Sequence, residues 1–594
     1  MKKFQIHYIF FVLVMFALSA LLLTVIQPPF NLSFLAWIAY VPFILASILS
    51  SLGKKIFIWA YLIGILYWLF NLYWIALITV AGWLAFCAYT ALLWPLLALS
   101  IRFCREKKIP LLIAVPVLIV GAENFQGFLL GGFYWRFLAH SQYANLPIIQ
   151  IADIFGAAGI SFLIAMVNAL VAEFFLAAWE KLVVSKAELA GGEPAKPKLL
   201  TTHLFLKIVV VVVAISAALF YGSFRLRQTP EFTETGPIVG SVQTDTPQSI
   251  KDSDSPEINE SLFSAIIRDS NSAIQAAATL VVWPETMVPA ILDERVLNLL
   301  DHNSPYIDFD RRIRQHAKDS SYILAGATGG RPKIDEDKKT ISLASRLNSA
   351  FLYQPDGLQA THQYNKIHLV PFGEFVPFKK SFPPFYKLLM VFTPYKYDYS
   401  LEPGDEYTVF RINDRNGKDY TFSVMICYED AVPDIARNFV RPKPGQIVFV
   451  RQHPKPVDWL INISNDGWFV RSVGNKVAPS TELSQHSAVC VFRAVENRIS
   501  ILRSVNTGIS CLIESTGQIK NGFLQGNLPI NATERQGMAG WFVDKLPIDK
   551  RITFFSKYGR WLDLTCQALF ALSILSIFTI KVRSRLKAKG RGNK

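Results

Sequence analysis

The first third of the chain is a succession of long apolar runs, and the middle is not. A helix needs about 20 apolar residues to cross a bilayer. Runs of that kind lie near Tyr8–Gln27, Phe34–Ser51, Ile56–Leu72, Trp74–Ile101, Ile109–Phe125, Ile154–Trp179 and His203–Tyr221. One more, Trp561–Ile580, comes near the end. Between them, Gly222–Tyr558 mixes charged and apolar positions as a water-exposed domain does. The pattern predicts eight transmembrane helices. Residues 1–221 read as a membrane domain with seven of them, 222–558 as a globular domain, and 559–594 as the last helix with a basic tail. Lys2 and Lys3 precede the first run as in a signal peptide, but further spans follow without a clear cleavage site, so it reads as a retained helix.

Inside the globular stretch the periodicity alternates. Ile238–Gln243, Leu280–Trp283, Tyr322–Ala327, Ser349–Tyr353, Phe422–Ile426, Trp459–Ile463 and Gly508–Glu514 read as strands. Pro256–Thr279, Ala431–Val440 and Ala488–Arg498 read as helices. Alternation of this kind predicts a layered α/β domain with a largely buried sheet.

Composition agrees with the membrane class: only 18% of residues are charged and 52% are hydrophobic. The net charge of +15 sits in clusters beside the apolar runs and forms no stripe, so no nucleic-acid partner is expected. The clusters are Lys2/Lys3, Lys54/Lys55, Arg102/Arg105/Lys107/Lys108, Lys181/Lys186/Lys196/Lys198, and the acid-free tail from Lys581. Eight spans put all of them on one side, the cytoplasmic one, and the globular domain on the other. Lys181–Pro197 reads as a flexible cytoplasmic loop. The six cysteines show no C-x-x-C spacing, so neither a metal nor another cofactor is expected.

Three segments put a reactive group at the end of an apolar run, where open α/β sheets build their sites. Glu285 follows Val281-Val282-Trp283-Pro284; apolar neighbours would raise its pKa and suit it to a general base. Alone, it is as well read as a surface acid at a strand end. Lys366, in Tyr364-Asn365-Lys366-Ile367-His368, could offer its ammonium to an oxyanion, or be a solvated lysine. His368 reads as structural. Cys427 follows the strand Phe422–Ile426 ahead of a helix, whose N-terminus would lower its pKa and favour the thiolate. Cys490 and Cys511, within a helix and a strand, read as small buried hydrophobes.

Glu, Lys and Cys in this order, with these flanks, resemble the nitrilase (carbon-nitrogen hydrolase) superfamily. The likeness is closer to its membrane branch, the apolipoprotein N-acyltransferases. It rests on Asn365-Lys366-Ile367-His368-Leu369-Val370-Pro371-Phe372-Gly373-Glu374, on Cys427-Tyr428-Glu429, and on Ile463-Ser464-Asn465-Asp466-Gly467-Trp468-Phe469. In the membrane part it rests on Pro28-Pro29-Phe30-Asn31, Trp37, Val41-Pro42, Gly132-Phe133, Trp135 and Ser141-Gln142.

The resemblance implies an αββα sandwich in which Glu285 is the general base, Lys366 the oxyanion stabiliser and Cys427 the nucleophile. It implies support from Glu374, Tyr428, Glu429 and Trp468, with Glu374 and Glu429 orienting Lys366 and the thiolate. The implied reaction moves an acyl chain from a membrane phospholipid, through a thioester, to the N-terminal amine of a diacylated lipoprotein. The implied place is a bacterial inner membrane, with the catalytic domain on the periplasmic side.

Two departures stand out. Pro247-Gln248-Ser249-Ile250-Lys251 is followed by Asp252, where the family often has tryptophan. Arg441–Val457 looks inserted, either a plain surface loop or a basic one resting on anionic headgroups. Phe375–Tyr395 is rich in Phe, Tyr, Leu and Met, and its prolines and paired lysines suit an amphiphilic arm dipping into the outer leaflet. A membrane-tethered amidase, a lipoprotein-binding pseudoenzyme and a transporter are the other readings. Transport fits least, because Ile56–Leu72 and Trp74–Ile101 carry no charged residue; Glu123 and Glu173 are the more embedded acids.

Overall fold

A computed structural model describes residues 2–49, 55–189, 200–251, 255–335, 340–393, 398–441, 455–474 and 476–591. Asp252, most of the Arg441–Val457 insertion, the end of the Phe375–Tyr395 arm and much of the Lys181–Pro197 loop lie outside them. The chain forms two compact units, one of residues 1–73, 83–224 and 560–594, the other of 74–82 and 225–559.

The first unit is helical. Each apolar run appears as a helix or a pair of helices, but among the described residues four are long and apolar enough to cross a membrane: Val80–Glu106, Ala157–Trp179, Leu204–Phe232 and Trp561–Arg583. The other runs give shorter apolar helices, Ile9–Val25, Ser33–Leu49, Lys55–Asn71 and Leu111–Gln126. The predicted run from Ile154 is interrupted because Gly156 takes φ +66°, a turn that closes one short helix before Ala157 opens the next. The embedded acids are engaged in structure. Glu123 accepts the Leu138 N–H (2.6 Å), and Glu173 pairs with Lys207 (2.7 Å).

The second unit holds two large sheets and a separate two-stranded pair, Arg471–Val473 with Lys476–Ala478. The first contains β1 (Thr233–Gln243), β2 (Leu280–Val282), β3 (Tyr322–Asp335), β4 (Thr340–Tyr353) and β5 (Tyr364–Asn365). The second contains β6 (Phe410–Asn413), β7 (Asp419–Ile426), β8 (Trp459–Ser464), β9 (Ser500–Val505) and β10 (Cys511–Ile513). β11 (Gln525–Gly526) and β12 (Gly540–Asp549) return to the first, giving the orders β11-β12-β1-β2-β3-β4-β5 and β10-β9-β8-β7-β6. Both sheets are mixed: β1-β2-β3 and β7-β8-β9 run parallel, their outer neighbours antiparallel.

The parallel strands read as continuous apolar runs because both faces are covered. Ser504 on β9 donates to Val242 O (3.0 Å) and Val282 O (2.9 Å), tying the inner faces together. Helices α1 (Pro256–Gln275) and α2 (Pro305–Ala317) cover the first sheet, burying Phe263, Ile266 and Ile313 against Val281, Trp283 and Ile323. Helices α3 (Pro433–Val440) and α4 (Thr481–Asn497) belong to the other side of the sandwich. Strand positions from the sequence are met throughout. The β3–β4 pair runs further than predicted, since its polar outer half carries no apolar signal.

The arm after Pro377 is no core segment. Its helix, Pro383–Leu389, buries none of its residues, and Phe382, Leu388 and Val391 are exposed. Trp74–Gly82 packs within this unit: the Trp74 ring lies 4.9 Å from that of Phe469, and Thr79 Oγ1 donates to Phe392 O (3.2 Å).

Candidate active site

Lys366 and Cys427 directly follow β5 and β7, and Glu285 comes three residues after the end of β2. The Glu285 loop closes tightly on β3 because residue 326 is glycine. A Cβ there would stand 2.3 Å from Pro284 O and 2.8 Å from Glu285 Cα. Glu285 is 5% exposed and is held by two donors. Asn465 N–H reaches Oε2 at 2.7 Å, and Asn348 Nδ2 reaches Oε1 at 2.6 Å. The apolar flanks therefore mislead: the carboxylate sits among hydrogen-bond donors.

Lys366 is 1% exposed. Its Nζ donates to Glu374 (2.8 Å) and stands 3.8 Å from Glu285 Oε1. Burial opposes its charge, but the attraction of Glu374, Cys427 and Glu285 outweighs burial and holds the ammonium well above the usual lysine range. Asn348 Nδ2 also reaches Glu374 (3.0 Å), so one amide and one ammonium bridge both acids.

Cys427 has φ +53°, a left-handed conformation that costs a non-glycine residue about 1–2 kcal/mol. It opens a 3-10 turn, Cys427–Ala431, and helix α3 begins only at Pro433. The expected helix N-terminus is thus not at the sulfur. Instead, burial pushes the Cys427 thiol well up; Glu285 adds to this, while Lys366 and His486 pull it down. A raised thiol of this kind needs a base to take its proton before it can attack. Alkylation of Cys427 by iodoacetamide should therefore keep accelerating past about pH 9, where an ordinary thiol of pKa about 8.5 levels off. Peptide mass spectrometry over a pH series measures this, and a plateau below about pH 8 would mean a preformed thiolate.

Glu429 does not orient the sulfur, contrary to the expectation. It is fully buried and accepts from Tyr364 OH (2.8 Å), Ile367 N (2.7 Å), His368 N (2.9 Å) and Ile426 N (2.8 Å). It thereby ties the chain after Lys366 to the residue before Cys427. Burial lifts its pKa to about 7 against these donors. Tyr428 sets its ring 6.0 Å from that of His368. Trp468 is half-buried in the turn Asp466–Phe469. Cys490 and Cys511 are buried, with thiols pushed up by burial. Sequence reasoning passed over Asn348 and Tyr364; the one available signal was a polar residue inside an apolar strand.

The amino-terminal part of the chain, residues 19–170, matches the family model described as the apolipoprotein N-acyltransferase N-terminal domain. Residues 239–528, which include Glu285, Lys366 and Cys427, match the carbon-nitrogen hydrolase model. The apolipoprotein N-acyltransferase of Geobacter metallireducens is 33% identical over 521 residues, covering 85% of this chain and 86% of its own. That of Chlorobaculum tepidum is 27% identical over 566 residues, covering 92% and 93%. A solved CN-hydrolase superfamily protein from Xanthomonas campestris is 16% identical over 53% of this chain and 91% of its own, with a TM-score of 0.32.

Proposed function

The chain belongs to the apolipoprotein N-acyltransferase family, and we propose that its Glu285, Lys366 and Cys427 carry out a two-step acyl transfer between membrane lipids. The observation that carries this reading is the buried ammonium of Lys366, 2.8 Å from Glu374 and 3.8 Å from Glu285.

In the first step Glu285 takes the thiol proton and the sulfur attacks an acyl ester of a phospholipid. The carbonyl oxygen becomes an oxyanion, which Lys366 faces with a fixed positive charge. The C–O bond breaks, Glu285 returns its proton to the leaving oxygen, and a lysophospholipid departs. A thioester remains on Cys427. In the second step the α-amine of a diacylglyceryl-cysteine attacks the thioester, Glu285 takes the amine proton, and the thiol is restored. A neutral resting thiol suits this order, because an idle thiolate would be exposed to oxidation.

The setting in this reading is the inner membrane, with eight spans and the catalytic unit on the periplasmic side. The one-sided placement of the basic clusters supports it. Fusing an α/β domain to apolar helices keeps both acyl chains out of water, worth about 0.8 kcal/mol for each CH₂. The exposed Phe382, Leu388 and Val391 of the arm suit contact with lipid. Replacing the three with serine should lower turnover of bilayer phospholipid about tenfold, the loss of roughly 1.4 kcal/mol of apolar contact. Hydrolysis of a short soluble ester should be unchanged. Equal loss on both substrates would remove the arm's role.

The test of the reaction is intact-protein mass spectrometry after incubation with phospholipid vesicles. One acyl adduct should appear and should be discharged by neutral hydroxylamine. Addition of a diacylated lipopeptide should then give N-acyl peptide. Free fatty acid as the sole product would mean a hydrolase, and no adduct on folded protein would reject the scheme.

A further inference from the structure

Behind Cys427 lies a group of buried charges that the two-step scheme does not use. His486, in the second turn of α4, is 2% exposed. Its Nε2 stands 2.9 Å from Asp430 Oδ1, and its Nδ1 stands 3.1 Å from Asp466 Oδ1 and 3.3 Å from Glu482 Oε1. A neutral imidazole has one donor and one acceptor nitrogen, and a carboxylate only accepts. With a carboxylate on each side, both ring nitrogens must donate, so the ring is an imidazolium.

Arg503 on β9 is the second cation. It bonds Asp430 and lies 3.8 Å from Asp466 Oδ2. Burial raises the Glu482 carboxyl to about 7, and the charge of Asp466 adds to this. Two cations therefore face three carboxyl groups.

One atom each from Asp466, Glu482 and His486 lie within 4.8 Å of one another, a spacing that could hold a metal ion. The charges argue against it. The Arg503 guanidinium already stands 3.8 Å from Asp466 Oδ2, a positive charge beside the place a metal ion would take.

The anchor points give the ring its role. Asp430 belongs to the turn that Cys427 opens. Asp466 opens the turn directly after Asn465, whose N–H holds Glu285. One charge thus joins the turn of the nucleophile to the turn that seats the base. We propose that His486 is a positioning residue, a permanently charged strut that fixes the Cys427 turn against the Asn465 turn. The inference rests on Cys427 being the nucleophile of the reading above.

The groups facing the ring are Asp430 after β7, Asp466 after β8, Glu482 on its own helix and Arg503 on β9. Burial opposes its charge, but the two aspartates outweigh burial and Arg503, holding the imidazolium well above the usual histidine range. Its charge also reaches Cys427.

Two measurements test this. The first is ¹⁵N-histidine NMR of the full-length wild-type protein in detergent. The chain has nine histidines, and ordinary ones lose their proton near pH about 6.5. One imidazolium signal should persist at about pH 9, well above that value. If none persists, the strut is not charged and the proposal fails. The second compares His486→Gln and Asp430→Asn with wild type. Acyl-enzyme formation should fall about 100-fold, as a misplaced nucleophile does.

In His486→Gln the alkylation profile of Cys427 should also move to higher pH, because a nearby positive charge is gone. A folded His486→Gln with wild-type acylation rate and profile would overturn the proposal. Should neither variant fold, the NMR result alone decides. The NMR result does not depend on the reaction: a Cys427→Ala protein that still transferred acyl chains would reject the scheme and leave the imidazolium in place.

Discussion

Cys427→Ala is expected to abolish acyl transfer, a loss on the order of 10⁶-fold, since the members of a nucleophile–base unit are of little use without each other. The variant should fold. Alanine is smaller than cysteine and bears the left-handed φ of +53° at about the same cost, and the turn is held by bonds that do not involve the sulfur. Glu429 still accepts Ile426 N–H (2.8 Å), and Asn462 Nδ2 still donates to the carbonyl of residue 427 (3.0 Å). Unchanged thermal unfolding together with no adduct by mass spectrometry is the expected pair of results. A hydroxylamine-labile adduct on the alanine variant would move the nucleophile to another residue.

Lys366→Met is expected to damage both stability and rate. The ammonium is the partner of Glu374 at 2.8 Å and stands 3.8 Å from Glu285, with all three groups largely or wholly buried. Removing one member of a buried pair leaves the other charge uncompensated and costs about 3–5 kcal/mol. Loss of one oxyanion partner costs a further 10²–10³-fold, roughly, in the acylation step. The melting temperature of the solubilised protein and single-turnover acylation read the two effects separately.

The sign of the pH dependence follows from the direction of the shift. The folded state holds the Lys366 proton more tightly than the unfolded chain does. Its contribution is therefore complete below the unfolded lysine value of about 10.4 and is lost as pH rises through the folded value. The stability gap between wild type and Lys366→Met should stay constant from about pH 7 to 9 and shrink above about 10.4. A variant with a lower melting temperature and an unchanged acylation rate would make Lys366 structural.

Much of this was readable from the chain. Apolar runs must leave water whatever their partners, so the helical and globular parts separate by composition alone. The strands of the sandwich core are covered on both faces, so each shows as an unbroken apolar run, and the reactive residues could be placed at their ends. Glu285, Lys366 and Cys427 were singled out in this way, with the family resemblance deciding among bland and chemical readings. The length of the β3–β4 pair was not readable, because its outer half is polar.

What the tertiary structure alone decided is the electrostatic setting of those residues. Neighbours in sequence suggested an apolar pocket for Glu285, yet its donors are Asn348 and Asn465, distant in sequence and adjacent in space. A helix N-terminus was expected beside Cys427, and a buried 3-10 turn with a raised thiol stands there instead. Glu429 looked like an aid to the sulfur and proved to be the tie between two strand exits. Periodicity depends on which face a residue presents, a local property that the chain carries in itself. A pKa or a hydrogen-bond partner depends on charges brought together by folding, and those distances exist only once the two sheets have met.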